Sequence, residues 1–390
     1  MPAYRRRNQS VPRKSRAGCR NCKLRKLKCD EGRPQCQRCS AYGVLCNFTS
    51  SGIPDLHPSG ESQSFALKSS RQANRLAKPS LRPSLGKDFW ATDATTSFTV
   101  DAKSRELLSV YKTQSVHMQD DTPWQGLKDE LVGLAFIHPF LMHGILALAA
   151  GYCRSLTTEL PSRGSSRELY HVAQCTSLFR ERLVSPVRPG DKDALWGTAS
   201  TLGIVAFSSL DTTSATESWP LKASSASDLE WIHMGEGKMV VWHMADPLRP
   251  ESLFSGVAST YAQMHAPLPS AGTDGIPPRL AQLCKLDESS TAESSPFLTV
   301  SHAISKLYSL SESDLTTGRV LPFLTHMPGS FKLLLYAKDP IALTLLYLWY
   351  SRARLAVWWI DLRARVECPA ILLYLKQYHP DNMLIHEFLA

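Results

Sequence analysis

Apolar residues recur at helical spacing from about residue 101 to the end of the chain and show hardly any periodicity between residues 49 and 100. Leu107, Leu108, Tyr111 and Ser115 follow a helical repeat. Residues 140–150 are apolar nearly all round, which predicts a buried helix, and Pro139 is placed to open it in the first turn. Tyr170, Ala173, Leu178, Phe179 and Leu183 predict a third helix, 195–210 a fourth and 229–242 a fifth. A long pair closes the chain, 341–366 and then 370–378, with Pro340 and Pro369 as punctuation. Ser/Thr-rich 211–227 and Pro/Gly-rich 267–278 read as loops. Alternation of the strand kind is scarce, so the expectation for 101–390 is an all-α domain.

The remaining N-terminal part has a different character. The chain has 390 residues, room for two or three domains, and a net charge of +9. Residues 1–50 hold thirteen Lys and Arg against two acids, Asp30 and Glu31, so the rest of the chain is slightly acidic. A basic head on a near-neutral body points to a polyanion as the head's partner. Residues 1–16 read as a flexible basic arm, in which Arg5–Arg7 and Arg13–Arg16 can act as a nuclear address, as a grip on phosphates, or as both. Residues 49–100, rich in Ser, Pro and charge, read as a disordered linker, because they bury too little apolar surface to offset chain entropy. No heptads follow the head, so no dimer element is visible and the oligomeric state stays open. No apolar run approaches the ~18 residues that span a bilayer. The N-terminus has no leader pattern, which places the protein in a reducing, intracellular compartment.

Six of the ten cysteines lie between residues 19 and 46, as Cys19-x2-Cys22-x6-Cys29-x6-Cys36-x2-Cys39-x6-Cys46. This is one unit, C-x2-C-x6-C, written twice. Structural zinc takes four ligands in a tetrahedron and suits thiolate. Two zinc ions need eight bonds, and six sulfurs supply them if two bridge. The duplicated unit makes the first cysteine of each half, Cys19 and Cys36, the natural pair. Metal binding and folding should then be one event, since the segment has little else to fold around. The halves differ in what they carry. Lys23-Leu24-Arg25-Lys26-Leu27-Lys28 fills the first, and Ser40-Ala41-Tyr42-Gly43-Val44-Leu45 the second. The first can face DNA, where phosphate neutralisation gives affinity and Lys or Arg can donate to guanine edges in the major groove. The second is suited to packing. A metal buffer, a redox site or an RNA knuckle are the competing readings of such a cluster.

With every cysteine matched over residues 17–48, the segment resembles the fungal Zn(II)2Cys6 binuclear cluster family. The resemblance implies that Cys19 and Cys36 bridge two zinc ions, in agreement with the count above. It implies that Arg25 and Lys26 read bases, usually of CGG triplets. Lys23, Lys28 and Arg20 would contact phosphates, and Pro34 would be the loop proline. In the body, His138-Pro139-Phe140-Leu141-Met142-His143-Gly144-Ile145-Leu146-Ala147-Leu148 resembles the regulatory domain of fungal sterol uptake control proteins. Tyr170, Ala173, 178–183, 339–343 and Trp358-Trp359 fit the same pattern. That resemblance implies an all-α regulatory domain over 101–390, in a group some of whose members bind sterol.

The expectation is a nuclear regulator of RNA polymerase II transcription. Its partners are double-stranded DNA, the transcription machinery and a small-molecule or sterol effector. Its targets are sterol or lipid genes, or a biosynthetic gene cluster. The alternative from another class is an enzyme or ligand carrier housed in the body, with an accessory zinc module. No nucleophile–base–acid set stands out to favour catalysis, and Gly235-Glu236-Gly237-Lys238 lacks the spacing and the preceding strand of a phosphate loop.

Overall fold

The computed structural model describes residues 17–33, 35–41, 44, 46–48, 56, 89–93, 95–113, 122–157, 164–225 and 227–389. The arm 1–16, Pro34, Ser115 and nearly all of 49–88 lie outside the described residues. The chain divides into two units, Met1–Gly86 and Lys87–Ala390.

In the first unit, helix α1 spans Arg20–Leu24 and α2 spans Gln37–Ala41. Helices of five residues are too short to stand on their own. What lies beneath them is the set of six cysteines and Val44, with Phe48 and Leu56 packed against it.

The second unit opens with a hairpin, β1 (Phe89–Thr92) and β2 (Ser97–Val100), paired antiparallel with Ala91 opposite Phe98. Asp93 Oδ1 accepts from the Thr95 and Thr96 amides and so shapes the turn. This hairpin falls within the stretch 49–100 expected to be a disordered linker. Strands of four residues are too short for their alternation to be seen in a sequence.

Helices follow throughout: α3 (Ala102–Thr113), α4 (Thr122–Ala135), α5 (Pro139–Ser155), α6 (Ser166–Leu183), α7 (Lys192–Ser208) and α8 (Glu230–Ala245). After them come α9 (Ala258–Met264), α10 (Pro278–Leu283), α11 (Leu298–Tyr308), α12 (Thr317–Val320), α13 (Pro322–Thr325) and α14 (Gly329–Tyr336). The chain closes with α15 (Pro340–Ala353), α16 (Trp358–Tyr378) and α17 (Met383–Leu389). As expected, α5 is buried almost all round, with α3, α4, α6 and α7 against it. Gly144 permits that crowding, since a Cβ there would meet Cys175 Sγ of α6 at 3.3 Å and Thr201 of α7 at 3.4 Å. Local signals agree with the packing. Ser165 caps α6 through the Glu168 amide, and Asp339 caps α15 through the amides of Ile341 and Ala342.

The closing pair differs from its expected form. The break falls at residues 354–357, where Val357 is extended, and Pro369 sits inside α16. Interior proline costs about 3 kcal/mol. Here the flanking residues Val366, Glu367, Cys368, Ala370 and Ile371 are all buried, and α16 packs on α15 and α7, so tertiary burial carries the helix through. Arg354 then bridges the real break by pairing with Asp361 at 2.7 Å.

Candidate metal centre and nucleic-acid interface

The written repeat of the cysteines is a repeat of backbone geometry. Cys19 caps α1 by accepting from the Cys22 amide at 3.4 Å, and Cys36 accepts from the Cys39 amide at 3.3 Å. The Leu27 amide donates to Cys22 O at 3.0 Å, and its counterpart in the second half, Val44, donates to Cys39 O at 3.1 Å. Each half thus turns its first two thiols toward the same point. The sulfurs of Cys19, Cys22, Cys36 and Cys39 all lie within 4.8 Å of one another and are buried. Cys19 and Cys36 are 3.8 Å apart, Cys19 and Cys39 3.6 Å, and Cys22 and Cys36 3.7 Å. A tetrahedral zinc with Zn–S near 2.3 Å separates its sulfurs by about 3.8 Å, so the donor set fits the ion. All six are free thiols. Cys29 and Cys46 are buried with them, and Cys29 groups with Cys36 and the Asp30 carboxylate. Burial pushes the thiols of Cys19, Cys36 and Cys39 up, a cost that a bound dication reverses.

Two supports around the cluster escaped the sequence reading. Asp30 accepts from the Gln37 amide at 2.9 Å and the Arg38 amide at 3.2 Å, and those bonds hold its carboxyl below the usual range. It is the cap of α2, seven residues ahead of it across a loop, where the usual adjacent-residue signal does not look. Asn21 is buried, accepting from the Leu56 amide at 2.8 Å while its own amide donates to Asn47 Oδ1 at 3.1 Å.

The cations of the first half are not equivalent. Arg20, Lys23, Lys26 and Lys28 are exposed. Lys26 sits just past the end of α1 with a positive φ of 54°. Arg25, expected beside it as a base reader, is half-buried and turned inward. Its Nε donates to Asn21 O at 3.3 Å, and its Nη2 donates to Arg38 O at 3.1 Å. The same Nη2 lies 3.8 Å from Cys22 Sγ and 3.9 Å from Cys39 Sγ. The guanidinium therefore joins the two halves across the sulfurs and supplies positive charge where thiolates collect. In the second half Val44 is fully buried against the cluster, as its apolar character suggested; Tyr42, Gly43 and Leu45 lie outside the described residues.

Comparison with known proteins places a family model, the fungal Zn(2)-Cys(6) binuclear cluster domain, on residues 17–52. A Zn(2)-C6 fungal-type transcription factor of Gibberella zeae is 54% identical over 41 residues, covering 10% of this chain and 8% of the relative. Sterol uptake control protein 2 of Saccharomyces cerevisiae is 50% identical over 36 residues, 9% of this chain and 4% of the relative. The aspercryptin biosynthesis cluster-specific transcription regulator of Emericella nidulans is 50% identical over 38 residues, 10% and 6%. The matched stretches have the length of the cysteine module, and the chain spans less than a tenth of these relatives. Six buried thiols, four of them clustered at zinc-ligand distances, the duplicated backbone turns and the matching model agree: residues 17–52 are a fungal Zn(2)-Cys(6) binuclear cluster domain, the kind of module shared with Zn(2)-C6 fungal-type transcription factors.

Proposed function

We propose that the chain is a nuclear, sequence-specific DNA-binding regulator of RNA polymerase II transcription and not an enzyme. The observation that carries this reading is the joining of four clustered thiols to a short helix and the turn after it, whose cations Arg20, Lys23, Lys26 and Lys28 are exposed. Two zinc ions fold the head, with Cys19, Cys22, Cys29, Cys36, Cys39 and Cys46 as ligands. Cys19 and Cys36 bridge them. In support, Cys36 belongs to both groupings of donor atoms, and Cys19 lies within 3.8 Å of both Cys36 and Cys39. Bound zinc supplies the charge that lets six thiolates share one small core.

The expected pair of base readers then divides. Lys26, exposed and without an ion pair among the described residues, reads base edges of CGG-type sites. Arg25 holds the cluster beneath it. Lys23, Lys28 and Arg20 position the head on phosphates, which carries affinity and salt dependence rather than sequence. The body receives a small-molecule effector and passes the signal to the transcription machinery. The relatives' names, one for sterol uptake control and one for a biosynthesis cluster, support sterol or lipid genes or a biosynthetic cluster as targets.

The test uses the full chain. Zinc content should be two ions per chain, and selection from a random duplex pool should enrich CGG-containing sites, an enrichment that a chelator abolishes. A single ion per chain, or a pool that emerges unenriched, overturns the reading. Enrichment that survives in a Cys36→Ala chain stripped of metal would move recognition away from the cluster.

A further inference from the structure

The body contains a cavity of about 440 Å³, framed by α7 and α8 and reached also by Tyr261, Thr317 and Trp359. That volume is in the range of small-molecule sites. Its walls are largely aromatic, with Trp196, Phe207, Trp231, Trp242, Tyr261 and Trp359 among them. Aromatic walls alone are ordinary core. The polar groups set into them are not.

Lys238 lines the cavity from α8. Lys238 is half-buried, burial holds its ammonium below the usual lysine range, and among the described residues no carboxylate offsets that burial. Its one described neighbour of opposite polarity is the face of Trp196, 5.7 Å away. Glu236, the acid on the same wall, accepts at 2.7 Å from the Nζ of Lys332, which also lines the cavity, and is engaged by that cation instead. His265 is kept toward its neutral form, first by burial and then by the nearby side chains of His326 and Lys238. Three more lining residues have polar atoms that are buried without a hydrogen-bond partner among the described residues: Ser200 Oγ, Trp231 Nε1 and Thr317 Oγ1. Buried polar groups are nearly always satisfied, so such a gathering calls for an explanation. The indole N–H and the ammonium can only donate, and both hydroxyls can donate. One cavity therefore holds four groups that want acceptors, one of them a cation without a counter-charge.

We propose that this cavity binds a small amphiphilic anion, an aromatic or alicyclic skeleton bearing a carboxylate or sulfonate-like group, with Lys238 as its counter-ion. The aromatic walls take the skeleton. Ser200, Trp231 and Thr317 take the remaining acceptor oxygens. A neutral lipid with a single hydroxyl leaves the ammonium unmatched and most of the donors unmet, so the chemistry selects an acid over an alcohol. The proposal rests on the reading of the body as the effector domain, but its binding test needs no DNA. Failure of duplex selection leaves the cavity standing, and failure of ligand binding leaves the head's reading standing.

A matched pair of fluorescent probes tests it on the full zinc-loaded chain: anilinonaphthalene sulfonate and its uncharged analogue N-phenylnaphthylamine. The sulfonate should bind about tenfold tighter or better, the strength of one charge-assisted hydrogen bond. Lys238→Met should erase that advantage while leaving the uncharged probe's affinity within about twofold. Its thermal midpoint without probe should be equal or higher, because a half-buried cation without an ion pair among the described residues has been removed. Ser200→Trp, which fills the cavity, should abolish binding of both. Anionic probe held by the cationic head would be indifferent to Lys238, so equal sulfonate affinity in wild type and Lys238→Met overturns the proposal. Undiminished binding of both probes by a folded Ser200→Trp chain overturns it as well.

Discussion

The head and the body reach order by opposite routes. Among the described residues, the apolar core of the head is six cysteines and one valine, and its two helices are five residues long. The body buries whole helices, with α5 and α7 apolar on nearly every side. Remove the metal and the head has six sulfurs whose protons must return and almost no apolar surface to hold it. The body instead rests on a large apolar core. Ligand chemistry fixes spacing in the head to the residue, whereas the body tolerates any sequence that fills its volume and satisfies its few buried charges. Each prediction below tries that contrast at a different strength.

The largest effect is metal removal. Structural zinc contributes about 10–16 kcal/mol to modules of this kind, which is all of the head's stability. Chelation with phenanthroline should erase amide protection over residues 17–48 and all duplex binding, while the thermal transition of the body stays where it was. Hydrogen exchange read by mass spectrometry separates the two regions in one sample. A head that keeps its protection after chelation, or a body that melts with it, ends the contrast.

The next effect belongs to the body. Arg363 on α16 donates to Phe207 O and, at 2.7 Å, to Ser209 O at the end of α7, and it pairs with Glu367, which also accepts from Tyr350 at 2.7 Å. The guanidinium thus satisfies the last carbonyls of α7 as well as a buried acid. Arg363→Met strands both and should cost about 3–5 kcal/mol of body stability. The denaturant midpoint should fall while zinc content stays at the wild-type value. An unchanged midpoint would mean that the packing around α16 suffices without its ions.

How much of this was legible follows the same division. Spacing announced the cysteine cluster, because tetrahedral chemistry permits few alternatives, and 3.6-residue periodicity announced α5 through α8. The inward turn of Arg25 was not legible, because it depends on Arg38 O, thirteen residues on in the other half, which no local pattern encodes. Pro369 was read as a terminator because local rules omit the burial on both sides of it. The cavity was invisible for a related reason. Ser200, Trp231, Lys238 and Thr317 come from three helices, and each alone is an ordinary core or surface residue.

Acid should strain the body in a defined window. His143 on α5 and His171 on α6 face each other at 2.8 Å beneath Phe98 of the hairpin. Burial pushes His143 down to about 3 and His171 well below its usual range; Arg167 and Asp101, the charged groups near His171, act in opposite senses and pair with each other at 3.2 Å. A folded-state value below the unfolded one means that the unfolded chain takes up protons first. Stability is therefore complete above about pH 6.5 and is lost as pH falls toward the folded value, at about 1.4 kcal/mol per pH unit for each histidine. The full slope is reached only below the unfolded pKa, so between pH 6.5 and 5.5 the loss is roughly 2 kcal/mol for the pair. Denaturant midpoints measured at both values should show it, and a His143→Leu, His171→Leu double variant should flatten the dependence. A double variant as acid-sensitive as wild type would assign the effect to other groups.

The smallest effect returns to the head and asks whether its cations divide as their geometry does. Removing a group that supports metal ligands typically lowers metal affinity about 10- to 100-fold, roughly 1.4–2.8 kcal/mol. Arg25→Ala should do so, measured by competition with a graded chelator, and should leave the base preference of the selected sites unchanged once zinc is in excess. Lys26→Ala should do the reverse: zinc affinity as in wild type, but a flattened preference at one position of the site. Lys23→Ala should weaken binding to every sequence alike and reduce the salt slope by about one. If Arg25→Ala keeps its zinc and alters the site profile, the guanidinium leaves the sulfurs for the groove on binding, and the head then uses one residue for both scaffold and readout, which the body's buried arginines never do.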